Sequence, residues 1–121
     1  MSTFEKVRLS GSTGGRPILV AATGTAGTLL HATGTSATVI DEMWLYASNT
    51  DTTDRKLTIE FGDVSAPADL IELTIKAESG LVLIVPGLPL SGTGAAARNV
   101  RAFAATTNVI NVVGYVNRIT P

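Results

Sequence analysis

The sequence offers one histidine, His31, as a candidate general base, and it contains no cysteine. The lack of cysteine excludes disulfides, thiolate nucleophiles and zinc or iron–sulfur sites built on cysteine. A serine-type triad needs a base beside the nucleophile, and many hydrolases hold that serine in a G-x-S-x-G turn, which is absent here. His31 ends the apolar segment TLLHATG beside a turn. We therefore expect a surface or edge histidine rather than a catalytic base.

Two glycine-rich segments are candidates for phosphate binding. Segment 11–16, GSTGGR, lacks the G-K-[ST] ending of a P-loop. Segment 92–97, GTGAAA, fits G-x-G-x-x-[GA], but a dinucleotide site also needs a βαβ unit and an acidic residue about twenty positions later. No Asp or Glu follows Glu78, so we expect no nucleotide cofactor.

The acidic residues show no metal-binding pattern. Asp41 and Glu42 are neighbours in a predicted strand, where adjacent side chains point to opposite faces. Asp51 and Asp54 lie in a polar loop that lacks the D-x-[DN]-x-[DN]-G calcium pattern. Carboxylates that are distant in sequence can lie close together in the fold. The sequence therefore does not exclude a pair of carboxylates like that of a glycosidase.

The remaining candidate is nucleic-acid binding, which needs basic side chains interleaved with aromatic ones. The net charge of the chain is only −1. The best set of basic and aromatic residues is small and consists of Arg98, Arg101, Phe103 and Arg118. We therefore expect no nucleic-acid partner. No catalytic, cofactor-binding or metal-binding residue is predicted, and we expect that the protein is not an enzyme.

Length and composition predict one all-β domain. The chain has 121 residues, of which 45% are hydrophobic and 16% charged, which excludes a disordered chain. Alternation of apolar and polar residues predicts about eight strands, so we expect a single antiparallel, jelly-roll-like β-sandwich, with a β-tulip or a small barrel as the alternative. The candidate strands, including the shorter ones, are 4–10, 17–23, 27–32, 39–48, 55–62, 69–78, 81–85, 99–106 and 108–119.

Turn residues separate these strands. The polar loop 49–54 and the Ser79–Gly80 pair predict hairpins, and Pro86–Gly87 predicts a break. Residues 1–16 are expected to be an N-terminal arm or a first strand followed by a flexible Gly/Ser loop, and 17–121 the sandwich domain.

Some strands are apolar on both faces. In 39–48, Trp44 and Tyr46 share a face with Ile40. A small sandwich cannot bury all of its aromatic and aliphatic side chains. We therefore predict that part of this apolar surface, including Trp44 and Tyr46, is an interface with a partner or with another copy of the chain.

The overall pattern resembles head decoration, or cement, proteins of tailed bacteriophages. The likeness covers almost the whole chain and is carried by VRLSGSTGGRPILVAATGTAGTLLHATG, DEMWLYASNTDTTDRKLTIEFG, DLIELTIKAESGLVLIVPGLPLSG and VRAFAATTNVINVVGYVNRIT. The resemblance implies a β-rich structural virion protein on the outer surface of an icosahedral capsid, where it stabilises contacts between capsomers. It also implies the major capsid protein as partner, and self-association, for instance as a trimer.

An N-terminal arm could add a strand to a neighbouring sheet in such a shell. Its anchors would be Phe4, Val7 and Leu9, unless this segment is an ordinary first strand of the protein's own sheet. The sequence shows no secretory signal and no membrane segment, so we expect no membrane partner. The resemblance implies synthesis in the host bacterial cytoplasm and a final location on the capsid surface. Two alternatives stay open: a low-copy tail or head-fibre component, and a carbohydrate-binding β-sandwich that would use Trp44 and Tyr46.

Overall fold

Nine β-strands form the computed structural model, which describes residues 2–121. No helix long and apolar enough to cross a membrane occurs in this part of the chain. Every strand overlaps a segment in which the sequence predicts one, so the all-β prediction is confirmed. The strands are β1 (Thr3–Arg8), β2 (Ile18–Leu19), β3 (Thr28–Ala32), β4 (Ile40–Asn49), β5 (Arg55–Gly62), β6 (Leu70–Ile75), β7 (Val82–Leu90), β8 (Asn99–Ala104) and β9 (Ile110–Thr120).

The strands build two antiparallel sheets. The first sheet has the order β1–β9–β4–β7, with β2 also paired to β9, and the second has the order β3–β8–β5–β6. Pairing is nested along the chain: β1 with β9, β3 with β8, β4 with β7 and β5 with β6. This is the strand order of a jelly roll. The predicted sandwich is therefore confirmed, and the sheets do not close into a barrel.

The core lies between the two sheets and follows from alternation along each strand. In β4, Met43, Leu45 and Ala47 point inward and are fully buried. Leu57 and Ile59 of β5 face them from the second sheet and are equally buried. Because side chains alternate between faces along a strand, the residues between them in β4 must point outward.

Two predicted hairpins are wrong. Loop 49–54 joins β4 of the first sheet to β5 of the second, and Ser79–Gly80 lies between β6 and β7, which are also in different sheets. The buried Asn49 donates from Nδ2 to the carbonyl oxygens of Thr53 (2.9 Å) and Ile75 (3.0 Å), which holds the chain across the gap between the sheets. Turn residues specify a reversal of direction, whereas the sheet that the next strand joins depends on contacts distant in sequence.

The predicted break at Pro86–Gly87 is also wrong, because β7 continues to Leu90. The register with β4 shifts between Met43 and Trp44 at this point. Gly87 has a φ of 78°, a conformation that glycine adopts without strain. The strand therefore passes through the irregularity as a bulge instead of ending there.

Residues 3–8 are the first strand of the protein's own sheet, the second of the two alternatives for this segment. β1 pairs with β9 along its whole length, from Thr3 opposite Thr120 to Arg8 opposite Tyr115. The glycine-rich segment that follows turns back on itself through a bond from Ser12 N to Leu9 O (3.0 Å) and contacts β3 through Gly11 N and Leu30 O (2.9 Å).

Candidate functional site

The outer surface of the first sheet brings together aromatic, aliphatic and charged side chains in rows across three strands. Register places Ile40 of β4, Ile119 of β9 and Phe4 of β1 in one row. The next row holds Glu42, Asn117 and Lys6, and the third holds Trp44, Tyr115 and Arg8. We call these nine residues the outer-face grid. Its first row is apolar, its second row is polar and its third row is mainly aromatic.

Trp44 is held in place on this surface by its neighbours. Its ring lies nearly parallel to that of Tyr115, with centroids 6.4 Å apart and planes inclined by 16°. Its Nε1 donates to Oε1 of Glu42 at 2.8 Å. A Cβ on Gly87 would lie 2.8 Å from Cζ2 of Trp44, so the missing side chain lets the indole extend over β7. These contacts hold Trp44 in one orientation.

Two charged groups of the grid, Glu42 and Lys6, make contacts within it. Glu42 Oε1 also accepts from Asn117 Nδ2 at 3.0 Å, and the hydrogen bonds from Trp44 and Asn117 hold the pKa of Glu42 below its ordinary value. Lys6 Nζ lies 4.6 Å from the centroid of the Tyr115 ring, a cation–π contact. A cavity of about 540 Å³ opens beside it, lined by Glu5, Lys6, Val7, Arg8, Gly114 and Tyr115.

The residues predicted from sequence divide between the two faces of the first sheet. Trp44 and Tyr46 are half-buried on the outer surface, and Phe4 is 71% exposed at the edge of the grid. Leu9 is buried in the core, whereas Val7 packs against the core and also lines the cavity beside Lys6. The structure therefore brings Phe4, Trp44 and Tyr46 to one surface and places Leu9 in the interior.

Sequence reasoning missed Tyr115, Asn117, Glu42 and Lys6 as members of this surface. Alternation in β9 could have placed Tyr115 and Asn117 on one face. Their position opposite Trp44 and Glu42 depends on the β4–β9 register, which a single sequence does not specify.

His31 is buried, contrary to the predicted surface position, although β3 is an edge strand. Its Nδ1 accepts a hydrogen bond from Ser10 N at 3.0 Å, so the ring proton is on Nε2, which donates to Asp41 Oδ2 at 2.7 Å. Arg118 binds both oxygens of Asp41, at 2.8 and 2.9 Å. Burial would raise the pKa of Asp41, but the hydrogen bonds from Arg118 and His31, together with the charge of Arg118, outweigh it and hold the pKa below its ordinary value.

This buried group links the sheets and does not form a serine-type triad. The Ser10 hydroxyl accepts from Ala32 N at 2.7 Å, and His31 is contacted by the backbone of Ser10, not by its hydroxyl. Both ring nitrogens of His31 are occupied. The arrangement fixes the 10–12 turn, β3, β4 and β9 relative to one another.

A second buried carboxylate, Glu60, points to the outer side of the second sheet. Its oxygens accept from Gly27 N at 2.7 Å and from the Thr25 hydroxyl, so the segment between β2 and β3 closes over it. A cavity of about 400 Å³ lies next to Glu60, with Asp63, Arg98 and Arg101 among its lining residues.

The basic cluster considered for nucleic-acid binding is assembled only in part: Arg101 and Phe103 lie in β8 with Arg98 directly before it, whereas Arg118 lies in β9. Arg98 and Arg101 line the cavity on the second sheet, where they donate to the carbonyl oxygens of Ser91, Gly92 and Gly27. Arg118 lies in the first sheet and binds Asp41.

No protein-family model matches the chain, and no curated protein matches it. The relation to phage decoration proteins therefore stays a prediction from the sequence pattern. The outer-face grid combines an exposed aromatic side chain, Phe4, with pre-ordered polar groups.

Proposed function

We propose that this chain is a structural virion protein that binds the outer surface of an icosahedral phage capsid and stabilises contacts between capsomers. The resemblance to decoration proteins over almost the whole chain supports the proposal. Its partners would be the major capsid protein and other copies of itself. The host bacterial cytoplasm would be the place of synthesis, and the capsid surface the final location.

The observation that carries the proposal is the outer-face grid. Protein interfaces are enriched in aromatic side chains and arginine, and the cost of binding falls when those side chains are ordered beforehand. Trp44 is held by Glu42, Tyr115 and the space above Gly87. Phe4 and Ile119 add apolar area in the first row, on the other side of the polar row. The surface therefore offers a rigid aromatic row and an exposed apolar row.

A protein can bind an assembled shell tightly through such a surface even when each contact is weak. Contacts repeated over a symmetric lattice give avidity without a single strong site. A protein that binds the assembled shell but not its separate subunits stabilises the shell by mass action. We therefore expect binding to assembled capsids and none to isolated capsid subunits.

Co-sedimentation tests this proposal. Purified chain is mixed with particles of the encoding phage that lack it, and bound protein is measured after the particles are pelleted. We expect saturable binding that is weakened at least tenfold by the double change Phe4→Ala and Tyr46→Ala. Val64→Ala is the matched control, because Val64 is also exposed but lies in the loop between β5 and β6 of the second sheet. Failure of the wild-type chain to bind would overturn the proposal.

A carbohydrate-binding module is the second candidate, favoured by one specific observation. The near-parallel Trp44 and Tyr115 rings lie beside Glu42 and Asn117, whose polar groups could orient a sugar. Glycan binding that is lost in Trp44→Ala, together with absence of capsid binding, would select this function over the first.

A further inference from the structure

Three basic side chains have no polar partner among residues 2–121. The chain has nine Lys and Arg residues. Most of them bind a carboxylate or a backbone carbonyl oxygen of the chain, namely Arg55, Lys56, Lys76, Arg98, Arg101 and Arg118. The others, Lys6, Arg8 and Arg16, form no ion pair and no side-chain hydrogen bond in this part of the chain. Their charges are therefore available to a partner.

These three cations lie together at one side of the outer-face grid. Lys6 and Arg8 occupy alternate positions of β1, so they point to the same face of the sheet. Gly15 packs against Arg8, because a Cβ on Gly15 would lie 3.4 Å from Cδ of Arg8, and Arg16 is the next residue. All three basic side chains are exposed. We call Lys6, Arg8 and Arg16 the cationic edge.

The acidic residues nearby do not neutralise the cationic edge. Glu42 is the acidic member of the grid, and its Oε1 already accepts from Trp44 and Asn117. Glu5 precedes Lys6 in β1, so alternation points it to the other face, and it lies opposite Arg118 in the register with β9. The cavity of about 540 Å³ opens beside Lys6 and Arg8. Uncompensated positive charge therefore borders open space here.

The strand that carries Lys6 and Arg8 is a regular sheet edge. β1 pairs with β9 over all of Thr3–Arg8 without a shift of register, and within residues 2–121 no strand pairs with its other side. Charged side chains on an edge strand disfavour the addition of an apolar strand. Opposite charges that face each other across two strands are stabilising. This edge therefore discriminates in favour of an acidic strand.

We propose that the β1 edge binds an extended acidic segment of a partner protein, which adds to the first sheet as a further strand. Lys6 and Arg8 are two positions apart, about 7 Å along the strand. Carboxylates two positions apart on the added strand would have the same spacing and face them. Backbone hydrogen bonds to β1 would supply affinity, and the carboxylate contacts would supply specificity.

The charge of this surface fits protein carboxylates better than nucleic-acid phosphates. A DNA duplex carries one charge per about 1.7 Å of its axis, and affinity for it rises with the number of phosphates neutralised. The cationic edge offers three cations, and Glu5 lies next to Lys6 in the same strand. The inference rests on the proposed function only for the identity of the partner, the major capsid protein, and it specifies the chemistry of that contact.

Two synthetic peptides of equal composition test the pairing. In one, glutamate alternates with threonine, and in the other the glutamates form a single block. Each is titrated into the isotopically labelled full chain, and binding is followed by NMR at low ionic strength, where exposed charge pairs are least screened. We expect the alternating peptide to bind more tightly and to shift the amide signals of β1, because only its carboxylates match the spacing of Lys6 and Arg8.

Matched double variants identify the charges that matter. Lys6→Ala with Arg8→Ala should weaken binding of the alternating peptide about tenfold, since two cross-strand charge pairs are lost. Lys56→Ala with Lys76→Ala removes the same charge from the second sheet and should leave binding nearly unchanged. Lys6→Arg with Arg8→Lys keeps both charges and should bind like the wild type, which separates loss of charge from a change of fold.

Failure of the wild type to bind the alternating peptide would overturn the inference. Equal binding of the two peptides would also overturn it, as would equal losses in the two alanine double variants. Tighter binding of a single-stranded DNA oligonucleotide at β1 would contradict the choice of carboxylates over phosphates. No capsid is present in this experiment, so its failure is distinguishable from failure of the co-sedimentation test of the proposed function.

Discussion

Asp41 Oδ2 lies 2.7 Å from His31 Nε2 in the interior, and this hydrogen bond connects a strand of the first sheet to a strand of the second. Arg118 completes the group from β9 through two bonds to the same carboxylate. The two sheets of a sandwich are otherwise held mainly by apolar packing, which is not directional. The buried group therefore fixes how the sheets are aligned beneath the outer-face grid.

Loss of the Asp41 carboxylate should destabilise the fold strongly. Asp41→Ala leaves the buried His31 and the half-buried Arg118 without an acceptor, which costs about 3 kcal/mol of unfolding free energy. Asp51→Ala is the control, because it breaks the more exposed Asp51–Arg55 pair, and such pairs contribute about 1 kcal/mol or less. Urea denaturation measures both values. Equal losses in the two variants would contradict the role assigned to the buried group.

The stability contributed by Asp41 should disappear in acid. Its pKa in the folded state is below the ordinary value of 3.8, so its contribution is complete above 3.8 and is lost as the pH falls through the folded pKa. The difference in unfolding free energy between the wild type and Asp41→Asn should shrink as the pH falls below about 4. Denaturation curves across this range measure the difference. A difference that grows on acidification would refute the assignment.

Gly114 should tolerate no side chain. A Cβ at this position would lie 2.0 Å from the carbonyl oxygen of Trp44, so Gly114→Ala must separate β9 from β4 at the centre of the first sheet. We expect a loss of about 3 kcal/mol, typical of overpacking. Gly24→Ala is the control, because nothing lies within 4 Å of a Cβ there. The two melting temperatures, recorded by circular dichroism, should differ clearly, and equal values would contradict the close approach.

Two apolar side chains of the N-terminal segment should contribute very differently to stability. Leu9→Ala removes a core side chain and should cost about 3 kcal/mol. Phe4→Ala removes an exposed one and should leave the unfolding free energy nearly unchanged. Deletion of residues 1–10 would remove both together with the β1–β9 pairing, so it does not isolate an arm. Chemical denaturation of the two point variants is the measurement, and a larger loss for Phe4→Ala would contradict the placement of β1.

The sequence predicts the strands of this fold better than their partners. Alternation around Leu57 and Ile59 reflects one buried face, and that signal is local. The failure at loop 49–54 has a different origin, because Asn49 bonds to Ile75, which lies in another strand. The same holds for the site. Trp44 and Tyr46 are identifiable from one strand, whereas Tyr115 joins them through the β4–β9 register.

The burial of His31 is also not predictable from the sequence around it. Its position at the end of an apolar segment favours the surface, because a buried polar group needs partners. Those partners are Ser10, 21 positions earlier, and Asp41, ten positions later. Only the nested pairing of the jelly roll brings the strands that carry His31, Asp41 and Arg118 together.

The copy number of this chain in purified particles tests the central proposal most directly. Quantitative mass spectrometry gives the ratio of the chain to the major capsid protein. A decoration role predicts a ratio near one or a simple fraction of it, because the chain would occupy equivalent positions over the whole shell. A few copies per particle would instead indicate a tail or head-fibre component, and complete absence from the particle would contradict the virion function.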